Sequence, residues 1–401
     1  MLKINTKEKA VALLFILIIF AVMVGMFFHP VEIGVEFRDT YRSTVSPDMP
    51  FTEKLETAIS ALESSVNAGV LARPGFIELY GLAQSAMNKD VIIDPNYGAL
   101  YKTPYGQIAY AVEKKYIDLH LDQVYGLANS LVGAKIPFLY VQAPFKLPDD
   151  SSQLPLNVTD YSNKNADAFV EKLTFANVSC FDLRPHIWNS GKTQNELFFN
   201  TDHHWTIETA FFSAGLIAGK LAEDYGFQID AAFFDINNYN FETFKDFFMG
   251  SMGRRVGRLY GGVDDFTLIT PKFETDLSFT ENGVAFPRGT FFDTVLMKEF
   301  IDVTAPVSTN RYAVYRRDEA EVVFTNHLVD AGKILIIKDS FGTPVYSFLA
   351  LGVHEVRAID VRLFKEDVAE YAARHKPDIV ILMYNADCFN EQMFDFGRKD
   401  N

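Results

Sequence analysis

Two short motifs contain the side-chain types that acyl transfer requires. FFNTDHHWT, residues 198–206, places Asp202, His203 and His204 on the turn before a helical pattern. KDSFG places Ser340 in a turn between a predicted strand and a predicted helix, where the side chain is exposed and helix N–H groups remain free. Together the motifs could supply a nucleophile, a base and an orienting acid, the three parts of a serine acyl-transfer site.

Each motif also has simpler interpretations. Asp202 or Thr206 could cap the following helix while the histidines pack or face solvent. Asp and His side chains are also metal ligands, although a metal site would need a further ligand from elsewhere in the chain. Ser340 could be only a helix N-cap, and Asp339 beside it is expected to form hydrogen bonds within the turn.

The elements around these motifs follow the pattern of an α/β domain with a mainly parallel sheet. Helices are predicted over three stretches: 52–68, 207–226 and 345–352. Gly226 is the expected C-cap of the second helix. The strongest strand predictions are four apolar runs: 137–142, 333–338, 355–359 and 378–383. Ser340 and Asn385 follow two of these strands, so we expect them at the sheet edge where open α/β sheets bind ligands.

Residues 227–330 are predicted to form a β-rich insertion, because the helical period fades there and Phe and Thr become frequent. Its expected strands are FTLIT, GTFFDTVL and EVVFTNH. Asp264 and Asp265 in this region could suggest the carboxylate pair of a glycosidase. Adjacent residues need not face one site, however, and a solvated loop is the preferred interpretation.

The composition excludes several classes of protein. The chain has 401 residues and a net charge of −15, which argues against nucleic acid as a partner because phosphate binding relies on clustered Lys and Arg. Cys180 and Cys388 are too few for a cysteine-based zinc site; they could form one disulfide or remain free thiols. The sequence contains no glycine-rich nucleotide-binding motif, and no cofactor is predicted.

An uncharged apolar stretch of 19 residues, 10–28, is long enough to cross a bilayer once. Lys3, Lys7 and Lys9 precede it, so the positive-inside rule predicts a cytoplasmic N-terminus and an extracytoplasmic domain at the cell membrane. A cleaved signal peptide is the alternative, although no small-residue cleavage site follows. The predicted organisation is a cytoplasmic tip with a signal anchor, a linker and an extracytoplasmic domain: 1–30, 31–51 and 52–401.

The motifs carry a family resemblance. TDHHWT and IKDSFGTPVYSFLALGVHEVRAID resemble segments of the DHHW proteins, an SGNH-hydrolase-like group related to the alginate O-acetyltransferases of bacterial envelopes. Three further stretches are similar to segments of the same group: MNKDVIIDPNYGALY, VQAPFKLP and MGSMGRRVGRLYGGVDDFTLITPKFET. The resemblance covers most of residues 85–390, and it implies an SGNH-hydrolase-like three-layer α/β domain.

The resemblance also implies roles for individual residues. In this family the acid and base are written Asp-x-His-Trp and precede the nucleophile, which implies Asp202 as the acid, His204 as the base and Ser340 as the nucleophile. The expected supporting residues are neighbours of these three: His203, Trp205 and Asp339. Lys338 stands where the usual Gly-Asp-Ser motif has Gly, which is similar to the acetyltransferase branch.

Further residues are expected to contact the reacting groups. The oxyanion donors are expected to be the backbone N–H of Ser340 and either Gly106 or the Asn385 side chain. SMGRRVGRLYGG is a basic, glycine-rich stretch whose arginines could hold an anionic glycan or lipid headgroup, with ion pairs in a surface turn as the alternative. The substrate-binding candidates are three: Tyr105, Arg254 and Arg255.

The implied function is a membrane-anchored O-acetyltransferase that modifies a cell-envelope or extracellular polysaccharide through an acetyl-serine intermediate, without a metal. The expected partners are a polysaccharide acceptor, an integral-membrane acyltransferase that supplies acetyl groups, and the membrane through residues 10–28. Two alternatives remain open. One is a carbohydrate acetyl esterase that uses the same triad, and the other is a non-catalytic glycan-binding scaffold of an exopolysaccharide complex.

Overall fold

The computed structural model describes residues 49–68, 73–94, 98–148 and 151–397, together with positions 34, 37, 38, 41 and 45. The predicted membrane segment, 10–28, and most of the predicted linker lie outside these residues. Among the helices of the described part, none combines the length and apolarity needed to cross a membrane. The chain divides into two compact units, Met1–Tyr80 and Gly81–Asn401.

The strands in chain order are β1 (Val91–Asp94), β2 (Gly98–Lys102), β3 (Ile108–Ala109), β4 (Phe138–Gln142), β5 (Cys180–Asp182), β6 (Tyr239–Phe248), β7 (Asp264–Pro271), β8 (Leu277–Glu281), β9 (Val284–Gly289), β10 (Glu321–Asn326), β11 (Lys333–Lys338), β12 (Glu355–Ile359) and β13 (Ile379–Tyr384). The α-helices are α1 (Phe51–Ala68), α2 (Arg73–Ala86), α3 (Asp118–Gly133), α4 (Ser162–Phe175), α5 (Arg184–Trp188), α6 (Gln194–Leu197), α7 (Ile207–Tyr225), α8 (Gly253–Val256), α9 (Arg258–Gly261), α10 (Phe291–Thr294), α11 (Gly342–Leu349) and α12 (Val368–His375).

Eight strands form one large sheet in the order β5-β4-β13-β11-β12-β10-β8-β9. The strands from β5 to β12 in that order run parallel, whereas β10, β8 and β9 pair antiparallel. The prediction of a mainly parallel sheet is therefore correct for one part of a mixed sheet. β8 and β9 form a hairpin in the predicted insertion, because its turn at Asn282 and Gly283 is far too short for a parallel crossover.

Side chains alternate between the two faces of the parallel strands and build a separate core on each face. On one face Leu139, Ile336 and Ile381 belong to a core that contains the apolar side of α7 and of α11. On the other face Tyr140 and Leu335 belong to a core that contains side chains of α3, α4 and α12. The result is three layers, helix on sheet on helix, as the family resemblance implies.

Most elements near the site match their predictions. β4, β11, β12 and β13 confirm the four apolar runs, and α7 confirms the helix that ends at Gly226, whose φ of 72° suits glycine. The predicted strand GTFFDTVL is wrong, because most of it forms α10 and the turn after it. Phe291, Thr294 and Val295 are buried there at helical spacing, which a strand would place on opposite faces.

The two cysteines are free thiols. Cys180 begins β5 and Cys388 follows β13, and β4 lies between these two strands in the sheet. Burial raises the pKa of Cys180 to about 11 and raises the pKa of Cys388 well above its usual value. Both thiols therefore stay protonated near neutral pH, where the thiolate is the reactive form.

We expect Gly342→Ala to lower the free energy of unfolding by about 1–3 kcal/mol, the usual cost of overpacking a core. A Cβ at Gly342, the first residue of α11, would lie 2.6 Å from the Cβ of Lys338. Gly219→Ala in α7 is the matched control, because a Cβ there meets nothing within 4 Å and alanine favours the helix. Urea unfolding of both variants tests the prediction, and equal stabilities would contradict it.

Candidate active site

The TDHHWT turn is held by backbone pairing on both sides of its chemistry-bearing residues. Phe198 and Trp205 form an antiparallel bridge, and the N–H of Thr206 donates to the carbonyl of Leu197 at 2.9 Å. Thr206 then caps α7, because its hydroxyl accepts from the N–H of Thr209. The predicted capping role thus belongs to Thr206, and the Asp202 carboxylate is available for other contacts.

Lys146 stabilises the TDHHWT turn through hydrogen bonds to backbone carbonyls. This residue is not predicted from the sequence. Its ammonium group is fully buried after β4 and donates to the carbonyls of Ile108, Asn200 and Asp202 at 2.6, 2.9 and 2.8 Å. Burial lowers the pKa of Lys146 to about 7, while the carboxylates of Asp264 and Asp202 act in the opposite direction. A lysine four residues after the end of an apolar strand is the sequence signal for this role.

Asp264 also supports the turn, and its assignment to a solvated loop is wrong. It begins β7 in a buried position, where its carboxylate accepts from the backbone N–H groups of Asn200 and Thr201 at 2.6 and 2.8 Å. The Thr201 hydroxyl donates to it as well, at 2.5 Å. Asp265 points away and pairs with Lys245, so the two carboxylates do not form a glycosidase pair.

Asp202 is buried and accepts hydrogen bonds on both oxygens. Oδ1 accepts from the ring Nδ1 of His204 at 2.5 Å and from its backbone N–H at 3.1 Å, and Oδ2 accepts from the N–H of Ser251 at 2.6 Å. Burial alone would raise the pKa of Asp202. The electrostatic interactions with His204 and His203 together with these hydrogen bonds outweigh burial and hold the pKa well below its usual value.

His204 connects the carboxylate to the serine. Its Nδ1 is bound to Asp202, and its Nε2 lies 2.6 Å from the Oγ of Ser340, which is 136 positions later in the sequence. The structure therefore brings the acid, base and nucleophile implied by the sequence into one hydrogen-bonded chain. With Nδ1 donating to the carboxylate, Nε2 is the nitrogen that can accept the serine proton.

Ser340 lies at the carboxyl end of β11, in a turn that Asp339 stabilises. The Asp339 carboxylate accepts from the N–H of Phe341 at 2.9 Å, and from the backbone N–H and side-chain Nδ2 of Asn385 at 2.7 and 2.8 Å. These bonds join the ends of β11 and β13. Among the described residues, the N–H of Ser340 has no protein acceptor and can donate to a ligand.

The two alternatives for the second oxyanion donor differ in position. Asn385 is bound to Asp339 next to the nucleophile, and the second proton of its Nδ2 has no protein acceptor in the described part of the chain. Gly106 donates its N–H to the carbonyl of Thr103 at 2.9 Å, which closes a turn of its own. The geometry favours Asn385 over Gly106.

Lys338 anchors a partly buried charge network behind the nucleophile turn. Its ammonium group lies 2.6 Å from Asp318, 3.3 Å from the Thr343 hydroxyl and 3.7 Å from Asp360. Arg362 also pairs with Asp318, at 2.9 Å, and with Asp360. Burial would raise the pKa of Asp318, but the charges of Lys338 and Arg362 hold it far below its usual value.

The chain is similar to known proteins in sequence and in fold. Residues 124–243 match the family described as the SGNH hydrolase-like domain of acetyltransferase AlgX. That span contains the TDHHWT turn and ends before Ser340. The resemblance to SGNH-hydrolase-like acetyltransferases is confirmed. No curated protein sequence matches the chain.

Two solved structures share the fold. PatB1 of Bacillus cereus, solved with a sulfonyl adduct, is 20% identical with a TM-score of 0.62, over 77% of this chain and 100% of its own. A DHHW family protein of Eubacterium siraeum is 16% identical with a TM-score of 0.57, over 76% of this chain and 96% of its own. At these identities the similarity shows that the fold is shared.

The three substrate-binding candidates form contacts outside the hydrogen-bonded chain of Asp202, His204 and Ser340. Arg255 forms an ion pair with Asp94 at 3.2 Å, and Arg254 donates to a backbone carbonyl at 3.2 Å. Tyr105 is exposed, and its carbonyl accepts from Asn195 at 3.1 Å. Arg255 therefore takes part in an ion pair, as the alternative interpretation of the basic stretch expects. The substrate-binding role of all three residues stays a prediction.

The alternative interpretation as a metal site involves three consecutive residues of the TDHHWT turn. Ligand atoms of Asp202, His203 and His204 lie within 4.8 Å of one another. Several of these atoms already bond within the protein: Asp202 to His204 and Ser251, and His204 Nε2 to Ser340. This pattern suits proton transfer, and we assign none of the three as a metal ligand.

The imidazole of His203 packs against the imidazole of His204. Its Nδ1 lies 3.2 Å from the Ser251 hydroxyl, and its ring centroid lies 3.8 Å from that of His204. Burial and the neighbouring positive charge of His204 lower the pKa of His203 to about 3. His203 is therefore a neutral imidazole near pH 7, which suits a supporting role.

We expect acid to destabilise the protein through His203. The pKa of His203 in the folded chain lies below the unfolded value of about 6.5. Between these two pH values the unfolded chain binds more protons, so the free energy of unfolding decreases as the pH is lowered. Between pH 7 and pH 5 the wild type should lose about 1–2 kcal/mol more than His203→Gln, which does not titrate. Urea unfolding at both pH values measures this difference, and equal losses would contradict it.

Proposed function

We propose that the protein is an O-acetyltransferase that modifies a cell-envelope or extracellular polysaccharide through an acetyl-serine intermediate. The hydrogen-bonded chain from Asp202 through His204 to Ser340, with links of 2.5 and 2.6 Å, carries the proposal. The similarity of residues 124–243 to the SGNH hydrolase-like domain of acetyltransferase AlgX supports acetyl transfer as the reaction. The fold shared with a DHHW family protein is consistent with it.

In the first step Ser340 takes the acetyl group from a donor ester. His204 Nε2 accepts the serine proton as Oγ attacks the acetyl carbonyl, and Asp202 stabilises the imidazolium that forms. The N–H of Ser340 and the Nδ2 of Asn385 are placed to donate to the oxyanion. His204 then returns the proton to the leaving oxygen of the donor, which leaves acetyl-Ser340 and a free donor hydroxyl.

In the second step a sugar hydroxyl replaces the donor. His204 removes the hydroxyl proton, the sugar oxygen attacks the acetyl carbonyl, and the ester bond to Ser340 breaks. The serine oxygen recovers its proton from His204, so the enzyme returns to its starting state with no net proton change. Water in place of the sugar would give acetate, which is the esterase alternative.

The location and partners follow from the sequence expectations and form part of the proposal. Residues 10–28 would anchor the protein in the membrane with the domain outside the cytoplasm. The donor would then be an integral-membrane acyltransferase that presents acetyl groups on the same side. The polysaccharide acceptor would reach Ser340 from the open end of the parallel strands.

Hydrolysis of a chromogenic acetyl ester by the full-length protein tests the nucleophile. We expect Ser340→Ala to lower the rate by about 10³-fold or more, because the covalent pathway is lost. Ser347→Ala is the matched control: within the described part of the chain, the Ser347 hydroxyl donates to the carbonyls of Tyr315 and Thr343 alone, so turnover should persist.

An oligosaccharide added to the same assay separates the functions. Acetylated oligosaccharide in the mass spectrum would support the transferase, and release of acetate alone would select the esterase. Absence of turnover in folded protein, with Ser340→Ala making no difference, would favour the glycan-binding scaffold.

Substitution of each histidine tests which imidazole is the base. We expect His204→Ala to abolish acetyl transfer, because it removes the group between Asp202 and Ser340. His203→Ala should retain much of the activity, since that ring contacts neither Ser340 nor a donor of the oxyanion. The reverse ranking would move the base to His203.

Loss of activity in a chelator, restored by a divalent metal, would instead favour the metal alternative.

A further inference from the structure

Tyr312, a residue outside both sequence motifs, stacks on the His204 imidazole. The two ring centroids are 4.0 Å apart and the planes differ by 11°. The His203 ring lies as close to His204, at 3.8 Å with a tilt of 37°. Two rings at such distances would overlap if they shared one face of the imidazole. Tyr312 and His203 therefore cover opposite faces of His204.

Tyr312 is itself held in place by a hydrogen bond and by the segment that contains it. Its hydroxyl accepts a hydrogen bond from the indole Nε1 of the buried Trp205 at 3.0 Å. It lies in the 3₁₀ segment Arg311–Tyr315, where the fully buried Arg311 guanidinium donates to backbone carbonyls, among them Phe300 and Asp302 at 2.9 Å. The Tyr312 ring is thus fixed before any substrate binds.

We propose that Tyr312 is a positioning residue for His204, which keeps the imidazole aimed at Ser340 and stabilises the imidazolium formed during transfer. This inference rests on the proposed function, because it assigns a role within the same proton transfer. The hydrogen bonds to Asp202 and Ser340 fix His204 within its ring plane, whereas the stacked rings restrict tilting out of the plane. An aromatic face also attracts a cation stacked upon it.

The stacking of Tyr312 on His204 matters most in the acetyl-enzyme, the intermediate in which Ser340 carries the acetyl group. Once Oγ carries the acetyl group, it has no proton to donate to His204 Nε2, and only the Asp202 bond remains at the opposite nitrogen. The ring must nevertheless stay aimed at the ester to activate the acceptor hydroxyl. The bond to Asp202 persists through this stage, together with the ring contacts of His204 with Tyr312, His203 and Phe341.

Two substitutions separate the stack from the hydrogen bond to Trp205. Tyr312→Phe keeps the ring and loses the acceptor, while Tyr312→Gln keeps an acceptor oxygen and loses the ring. A merely structural role through the hydrogen bond predicts that Tyr312→Phe is the more damaged variant. Positioning of His204 predicts the opposite order.

The readout is the pH dependence of Ser340 sulfonylation by an aryl sulfonyl fluoride in the full-length protein, followed by mass spectrometry. In this reaction Oγ forms a bond to sulfur, fluoride leaves, and His204 takes the serine proton, so neither the acetyl donor nor the acceptor need be known. We expect Tyr312→Phe to keep the wild-type midpoint, and Tyr312→Gln to lower it by about 0.5–1 pH unit and to slow labelling about tenfold.

The titratable groups around His204 are the same in both variants, so they cannot produce the difference. These groups are the side chains of Asp202, His203, Asp318 and Asp339. Tyr312→Leu replaces Tyr312→Gln if thermal unfolding shows that the latter does not fold. A midpoint and rate of the ring-less variant equal to those of Tyr312→Phe would overturn the inference while leaving the proposed function intact. Failure of the wild type to label Ser340 would overturn both.

Discussion

Asp202 holds a negative charge at a buried position, and the surrounding structure compensates for the loss of water. Removal of a carboxylate from water is unfavourable unless hydrogen bonds and an opposite charge replace it. The Ser251 N–H and His204 provide these contacts, and Gly250 makes room for them, since a Cβ there would lie 2.3 Å from that of Asp202. Lys146 fixes the Asp202 carbonyl from the other side. The position of the imidazole follows from this arrangement.

The nucleophile is positioned by a separate set of contacts at the sheet edge. Asp339 joins the ends of β11 and β13, and the Lys338 network lies behind the same turn. The base and the nucleophile therefore depend on different layers of the fold, and the bond of 2.6 Å from His204 to Ser340 connects them. Activity consequently depends on how well α7 packs on the sheet, as well as on the three residues themselves.

Local patterns in the sequence predict much of this architecture. The apolar runs of β11 and β13 and the motif at Ser340 are contiguous signals, so strand, turn and helix could be predicted from them. Lys146, Asp264 and Tyr312 could not, because each acts on a segment distant in sequence and has no local pattern of its own. The sequence predicts the antiparallel β8–β9 hairpin only as β-rich, since strand pairing depends on long-range packing.

The order of the site residues along the chain has a consequence for folding. His204 precedes Ser340 by 136 residues, and the neighbouring strands β4 and β13 are separated in the chain by residues 143–378. Contacts between such distant segments form late and slowly, because a long loop must close first. A chain that ends before β11 would contain the entire TDHHWT turn without a nucleophile beside it. Chemical competence therefore arises only when the last third of the chain has been synthesised and packed.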